Sequence, residues 1–432
     1  MSRTRRITAT VLFVVLTVSL VGAAPLAAQD DCPVKIGLVT DVGRLRDQSF
    51  NESAWVGIER AAETLGMGTE CYSYIETQDT ADYIPNIALL IDEGYGIIVT
   101  SGYLMTEATR QAGLMYPDVY FIGTDQGQVN ENFEYDPIPN VAGLVFYEDH
   151  AAFLAGALAA ALSESGVIGG VYGTDVVPPV VRLREGFEMG ARYVNPDIRV
   201  LGAYHPGTPD VAFIDIRWGG DTARTMIAEG ADVIYGAGGQ TGNGGLIAAC
   251  NAGLPVIGVD VDQYYTLPEV QPCIVTSATK DLVNGVHDLI VAAVRDGEYR
   301  GGAVEGPAVL APFHEWEDKI PDDVKAMLDE ILAGIESGEI ETCPVDDPDI
   351  GWNCDIAGLS RPGEVNVTAV IEASCVTCHD TGVLVENIGQ SEEWWKDTIE
   401  RMAAMGGLEL TEAEVNALVT CLHTGACTIP GQ

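Results

Sequence analysis

Basic residues are scarce in this chain: 22 lysines and arginines stand against 64 aspartates and glutamates, a formal net charge of −42 at pH 7. Binding to a nucleic-acid backbone needs the opposite sign, so that class of partner is excluded. The glycine-rich stretch 236–245 lacks the lysine of a P-loop. It also does not open the first strand–helix unit, as a dinucleotide fingerprint does. No ATPase motif occurs elsewhere, and no nucleophile–base arrangement is recognisable. His150, His205, His287 and His314 are scattered and read as structural. After the N-terminal segment no apolar run is long enough to cross a membrane. No small-residue lipobox precedes Cys32, because Gln29-Asp30-Asp31 stand there instead.

The N-terminus carries Arg3, Arg5 and Arg6, then an apolar run from Ile7 to Ala24 and small residues at Ala27 and Ala28. This is the pattern of a secretory signal peptide, 1–28, with cleavage after Ala28. An uncleaved anchor is the alternative, since about 18 apolar residues just span a bilayer. Export places the mature chain in the periplasm or at the outer face of the cytoplasmic membrane, where disulfides form. Eight of the ten cysteines can pair by neighbourhood, as Cys32 with Cys71, Cys250 with Cys273, Cys343 with Cys354, and Cys421 with Cys427. Sequence alone does not fix this connectivity.

Val34 to Val39 is a short apolar run with β-branched residues. It ends in the polar loop Thr40-Asp41-Val42-Gly43, and a helical pattern follows from Asn51 to Leu65. In open α/β sheets ligands bind beyond the carboxyl ends of strands, where such loops lie. The loop offers carboxylates, an amide and the ring of Phe50. Strand and helix signals then alternate to Phe146. A second series runs from the Ala-rich helix at His150 to the strand at 273–277, with the glycine-rich stretch 236–245 read as a loop before a helix at 246–252. Two α/β series with doubly wound parallel sheets predict two lobes facing a cleft. The expected division is 32–340 for this module, with lobes at roughly 32–145 plus a C-terminal return and at 146–275. An irregular connector follows at 341–365 and a compact all-α segment at 366–432.

Several blocks, among them Val39-Thr40-Asp41-Val42-Gly43, Asp47-Gln48-Ser49-Phe50-Asn51, Gly186-Phe187-Glu188-Met189-Gly190, Gly242-Asn243-Gly244 and Gly258-Val259-Asp260-Val261-Asp262-Gln263, resemble the basic membrane protein family. The resemblance runs from about Cys32 to Pro312. It implies a type I periplasmic-binding-protein fold that serves an ABC importer and closes on a purine nucleoside. By this resemblance Phe50 and Phe187 sandwich the base, and Asp47, Asn51 and Asp125 address its edge. Asp260 and Lys280 hold the ribose hydroxyls near the backbone of Gly239, and Asp41 contributes from the same loop. By pattern alone Phe187 reads as a core residue of an amphipathic helix. Arg44 and Arg46 occupy a loop that in the family carries smaller or uncharged residues.

Cys375-Val376-Thr377-Cys378-His379 is a signature of covalent c-type haem attachment. Cys375 and Cys378 would bind one haem c, and His379 would ligate its iron. A redox dithiol would want a thioredoxin-like strand before it, and a zinc site a second well-spaced ligand pair; neither accompanies the motif. Met402 is the expected sixth ligand, because it shares a helical face with Trp395 and Ile399; Met405 and His423 are the alternatives. The segment resembles a small class I cytochrome c. The whole chain thus reads as an exported solute-binding protein, not an enzyme, with a monohaem electron-transfer module. Its expected partners are a nucleoside, a permease and ATPase encoded elsewhere and contacted peripherally at the membrane, and a redox protein. The alternatives are an exported haem-dependent oxidoreductase and a redox-linked ligand sensor.

Overall fold

The structure, a computed structural model, describes residues 32–130, 135–343 and 387–406, with single positions between Cys354 and His423. The segment 1–28 lies outside the described residues. The first series places β1 (Lys35–Thr40), α1 (Phe50–Leu65), β2 (Tyr72–Ile75), α2 (Tyr83–Asp92), β3 (Tyr95–Ser101), α3 (Thr106–Met115), β4 (Tyr120–Thr124) and β5 (Val141–Phe146). The second places α4 (Glu148–Leu162), β6 (Val167–Tyr172), α5 (Pro178–Val194), β7 (Arg199–Tyr204), α6 (Pro209–Ala212), α7 (Ile216–Ala228), β8 (Ile234–Ala237), α8 (Gly239–Asn251), β9 (Val256–Asp260), α9 (Gln263–Thr266) and β10 (Ile274–Lys280). Then come α10 (Leu282–Val291), β11 (Gly302–Gly306), β12 (Ala308–Leu310), α11 (Asp322–Glu336) and, in the tail, α12 (Glu392–Gly406).

Two six-stranded sheets result, ordered β11-β5-β4-β3-β1-β2 and β12-β10-β9-β8-β6-β7. Every pairing of named strands is parallel except that of β12 with β10. The chain passes between the sheets three times, at Tyr147, Asp281 and Pro307. The backbone N–H of Asp281 donates to the Pro307 carbonyl at 3.0 Å, so two of these crossings are tied together. The second sheet's last long strand runs to Lys280, past the expected boundary at 275. The return consists of α10, whose Leu282 and Val286 share a core with Ala54 and Ile58 of α1, and of β11 beside β5. Helix α11 packs Leu328 and Ile331 against Phe153 and Leu154 of α4.

The glycine-rich stretch is not a loop. Gly236 lies in β8 and Gly238 precedes the next helix as its cap, while Gly239, Gly242, Gly244 and Gly245 sit inside α8, which begins at Gly239. A Cβ at Gly244 would fall on the Ile216 carbonyl, and one at Gly219 on the Thr241 carbonyl. Glycine here lets α7 and α8 touch backbone to backbone, a packing use rather than a turn. The disulfides Cys32–Cys71, Cys250–Cys273 and Cys343–Cys354 form as expected. Cys421 is also disulfide-bonded; Cys427 lies outside the described residues. No described helix is long and apolar enough to cross a membrane.

Candidate functional site

The carboxyl end of β1 delivers Asp41. Its Oδ1 accepts from the Gly43 N–H at 2.9 Å, which fixes the loop. Asp47 is spent locally: Oδ1 accepts from the N–H groups of Ser49 (2.9 Å) and Glu52 (3.2 Å), and Oδ2 from Asn51 (2.9 Å). These are the otherwise unsatisfied donors of the first turn of α1. Asp47 therefore orients Phe50 and Asn51, and both of its oxygens are already occupied. This differs from the expectation that it addresses a base edge directly.

From the second lobe, β9 ends in Asp260, which adopts a left-handed conformation at φ 64°. Its Oδ2 accepts from Ser49 Oγ of the other lobe at 2.6 Å. Asn243 Nδ2 donates to the Asp47 carbonyl at 2.9 Å, and Gln48 Nε2 to the Thr266 carbonyl at 2.9 Å. These bonds across the cleft hold the lobes closed. β10 ends in Lys280, so this lysine belongs to a strand end and is buried rather than solvated. Its Nζ lies 2.7 Å from Asp125 Oδ2, 3.4 Å from Asp260 Oδ1 and 3.7 Å from Glu148 Oε1. It also stands 4.5 Å from the centroid of the Phe50 ring. Glu148 is neutralised in turn by Arg182 at 2.6 Å.

Burial pushes Asp41 up to about 6 and Asp47 up to about 7, the latter against three backbone N–H bonds. Asp125 is raised to about 7, burial outweighing the nearby Lys280. Burial alone would lower Lys280, but Asp125, Asp260 and Glu148 together outweigh it and keep the amine charged. One ammonium thus faces three buried carboxylates, a cluster that a ligand with hydrogen-bond donors would relieve.

These residues line a slot between the lobes, about 640 Å³ when its open mouth is counted. Asp41, Asp47, Phe50, Asn51, Asp125, Gly239, Asp260 and Lys280 all reach it. Two acceptors in it, Asn51 Oδ1 and Asp125 Oδ1, are buried without a partner among the described residues. Phe187 does not line it. That ring is fully buried in the core and stacks on Tyr235 with centroids 4.7 Å apart, so the pattern-based reading of Phe187 holds and the resemblance-based one does not. The second lobe's ring at the slot is Phe213, seated just after α6 and held through its carbonyl by the Gln240 N–H at 2.9 Å. Phe213 obeys no helix or strand period, which hid it; an aromatic in a short turn between two elements was its available signal. Arg44 also lines the slot and donates to Gln78 at 3.2 Å.

In the tail, Cys375, Cys378 and His379 lie outside the described residues. Met402 is half-buried on α12. On the same helix Trp395 and Ile399 pack against Leu418 and Leu422. The Trp395 indole N–H is buried with no partner among the described residues. His423 Nδ1 lies 2.8 Å from the Gln390 carbonyl, so that ring nitrogen is engaged. The Met405 side chain lies outside the described residues.

Two lobes of parallel sheet, three crossings and a polar slot between them define a solute-binding protein of the type I periplasmic-binding class. The chain belongs to the Bmp family, ABC transporter substrate-binding proteins of the PnrA-like type, whose profile matches residues 34–305. It is 30% identical over 312 residues to basic membrane protein A1 of Borrelia garinii subsp. bavariensis, covering 71% of this chain and 87% of that one. It is 29% identical over 289 residues to the ABC transporter nucleoside-binding protein BmpA of Lactococcus lactis, covering 63% and 78%. A solute-binding protein of an ABC transporter system from Aeropyrum pernix superimposes with a TM-score of 0.63 at 26% identity, covering 75% of this chain and all of that one.

Proposed function

We propose that this exported protein captures a nucleoside, of purine type, and presents it to an ABC permease and its ATPase. What carries the reading is the pairing of one aromatic ring from each lobe, Phe50 and Phe213, with unpartnered buried acceptors at Asn51 and Asp125. A flat apolar ligand would stack against such rings, and its N–H and O–H groups would answer the acceptors. Asp260 and Lys280 suit vicinal hydroxyls, one accepting and the other donating. The Lactococcus relative, a nucleoside-binding protein by name, supports the same class. A buried polar site also rejects analogues that leave its groups unpaired. Capture and release need no bond to be made or broken, so the reading assigns no catalytic residue.

The test is calorimetry with adenosine, guanosine and inosine. Wild type should bind at least one of them. Phe213→Ala should weaken binding by about 1–3 kcal/mol, the usual worth of a stacked base, while the affinity of Phe187→Leu stays near wild type. Absence of binding to all three nucleosides would reject the assignment.

The tail is read as a monohaem c-type module held by Cys375 and Cys378, with His379 and Met402 as iron ligands. The apolar face of Trp395 and Ile399, with an indole N–H that has no partner among the described residues, suits one wall of such a pocket. Bound haem would supply one-electron transfer to a separate redox protein.

A further inference from the structure

Gln48, Asn243 and Gln263 each stand within four residues of a slot residue, yet none of them lines the slot, and neither does Thr266. They meet where the loop before α1 touches the second lobe. That loop presents two consecutive main-chain carbonyls. Asn243 Nδ2, from α8, donates to the Asp47 carbonyl at 2.9 Å. Two donors from α9, Gln263 Nε2 and Thr266 Oγ1, share the Gln48 carbonyl at 3.3 and 2.8 Å. Gln48 returns the contact, its Nε2 donating to the Thr266 carbonyl at 2.9 Å. Behind them Gln263 is fully buried. Its Nε2 also donates to Asn243 Oδ1 at 2.8 Å, and its Oε1 accepts from the Val259 N–H at 3.0 Å. Asn243 and Gln263 are thus tied to each other and to β9, one residue before Asp260.

Gln48 holds φ 59°, a left-handed backbone that residues other than glycine seldom adopt. Such a conformation persists only where its surroundings over-determine it. The Gln48 N–H donates to Glu52 Oε2 at 3.1 Å within the first lobe, while its carbonyl and its side-chain amide are used across the cleft. The other bridges between the lobes, Lys280 to Asp125 and Ser49 to Asp260, run through residues that line the slot, so a ligand competes for them. Gln48 and Thr266 line no part of it, so their bonds form alike whatever the slot holds. A ligand that needs the closed form binds more weakly in proportion to the fraction of protein that is not closed. Bonds of this second kind therefore act on every ligand equally.

We infer that Gln48, with Asn243, Gln263 and Thr266, forms a clasp that closes the lobes independently of the ligand and scales the affinity for all ligands by one common factor. These are positioning residues: they touch no ligand and act by bringing Phe50 and Asp260, which flank them in sequence, to opposite sides of one slot. The ligand arm of the test rests on the nucleoside reading, whereas the ligand-free arm does not.

Glu107 and Asp210 are exposed and line one groove at the cleft mouth. Nitroxides attached at these two positions through a ketone-bearing amino acid leave the native cysteines untouched. In the full-length, ligand-free protein the distance distribution should lengthen and broaden in Gln48→Gly and in Thr266→Val. Thr266→Ser keeps the hydroxyl and should match wild type. Glycine adopts the Gln48 backbone freely, and valine keeps the shape of Thr266, so both variants should fold. Identical distributions in wild type and both variants would overturn the clasp. For each of adenosine, guanosine and inosine that wild type binds, both variants should release it roughly fivefold faster or more, the lower end of ordinary coupling energies. Each variant should speed all of them by the same factor. Release at the wild-type rate, or a factor that differs from one nucleoside to the next, would overturn the effect on affinity. If wild type binds none of the three, the nucleoside reading fails, and the ligand-free distances still decide the clasp.

Discussion

Asp41, Asp47 and Asp125 sit in the cleft with folded pKa values of about 6, about 7 and about 7. Each lies above the ordinary carboxylate value of 3.8, burial being the leading cause. A raised carboxyl favours folding while it is protonated in both states, and that contribution fades as pH climbs through the folded pKa. Between pH 5 and pH 8 the ligand-free protein should therefore lose stability as these three ionise. The carboxylates held low, Asp215, Asp221 and Asp296, act at more acidic pH and leave this window alone. Thermal unfolding across the window should show a falling midpoint, and Asp125→Asn should flatten the slope. A midpoint rising monotonically from pH 5 to 8 would contradict this. At this scale the sequence was legible where chemistry clusters: the Asp47–Asn51 block and the strand ends at Asp125 and Asp260 all reach the slot. It was illegible where an element's own backbone claims a side chain, as with Asp47, or where a ring lies off any period, as with Phe213.

Helices α4 and α5 touch through glycine. A Cβ on Gly190 would meet the Phe153 carbonyl, and one on Gly156 the Phe187 carbonyl. The blocks Phe153-Leu154-Ala155-Gly156 and Gly186-Phe187-Glu188-Met189-Gly190 thus encode a close helix crossing, and Phe187 is core because that crossing buries it. Gly190→Ala should push two backbones apart and cost about 1–3 kcal/mol, the usual range for overpacking. Urea denaturation should show the lower midpoint, and Gly127→Ala, whose Cβ meets nothing within 4 Å, should stay near wild type. The same physics explains the reading of 236–245 as a loop. Glycine lowers helix propensity by about 1 kcal/mol, so local pattern favours a break, while the contact of α8 with α7 overrides it. Strands β11 and β12 escaped notice for a related reason: five and three residues long, they offer little periodicity, and only their neighbours make them sheet.

At the scale of the whole molecule, the proposed haem module would share one acidic chain with the binding cleft, and the proposal for the tail rests on one motif. Cys375 and Cys378 would each add a thiol to a haem vinyl group, and attachment outside the cytoplasm agrees with the export that the N-terminal sequence predicts. The segment 366–432 is short, and a core of that size gives only a narrow margin of stability, which a bound porphyrin would widen. Among the described residues Ile371, Leu384, Trp395, Ile399, Leu418 and Leu422 share one apolar cluster, against which a porphyrin would pack. Expressed in a host competent for cytochrome c maturation, the full chain should carry the mass of one covalent haem and a Soret band. Cys375→Ser with Cys378→Ser should abolish both. Met402→Ala should keep the mass and alter the spectrum of the reduced form if Met402 is the sixth ligand; an unchanged spectrum would move that role to Met405 or His423. The binding lobes have their own cores, so nucleoside affinity of the double serine variant should stay within about twofold of wild type. An unmodified wild-type mass from a host that loads a control cytochrome would remove the haem, and with it the redox partner, while leaving the cleft and its rings untouched.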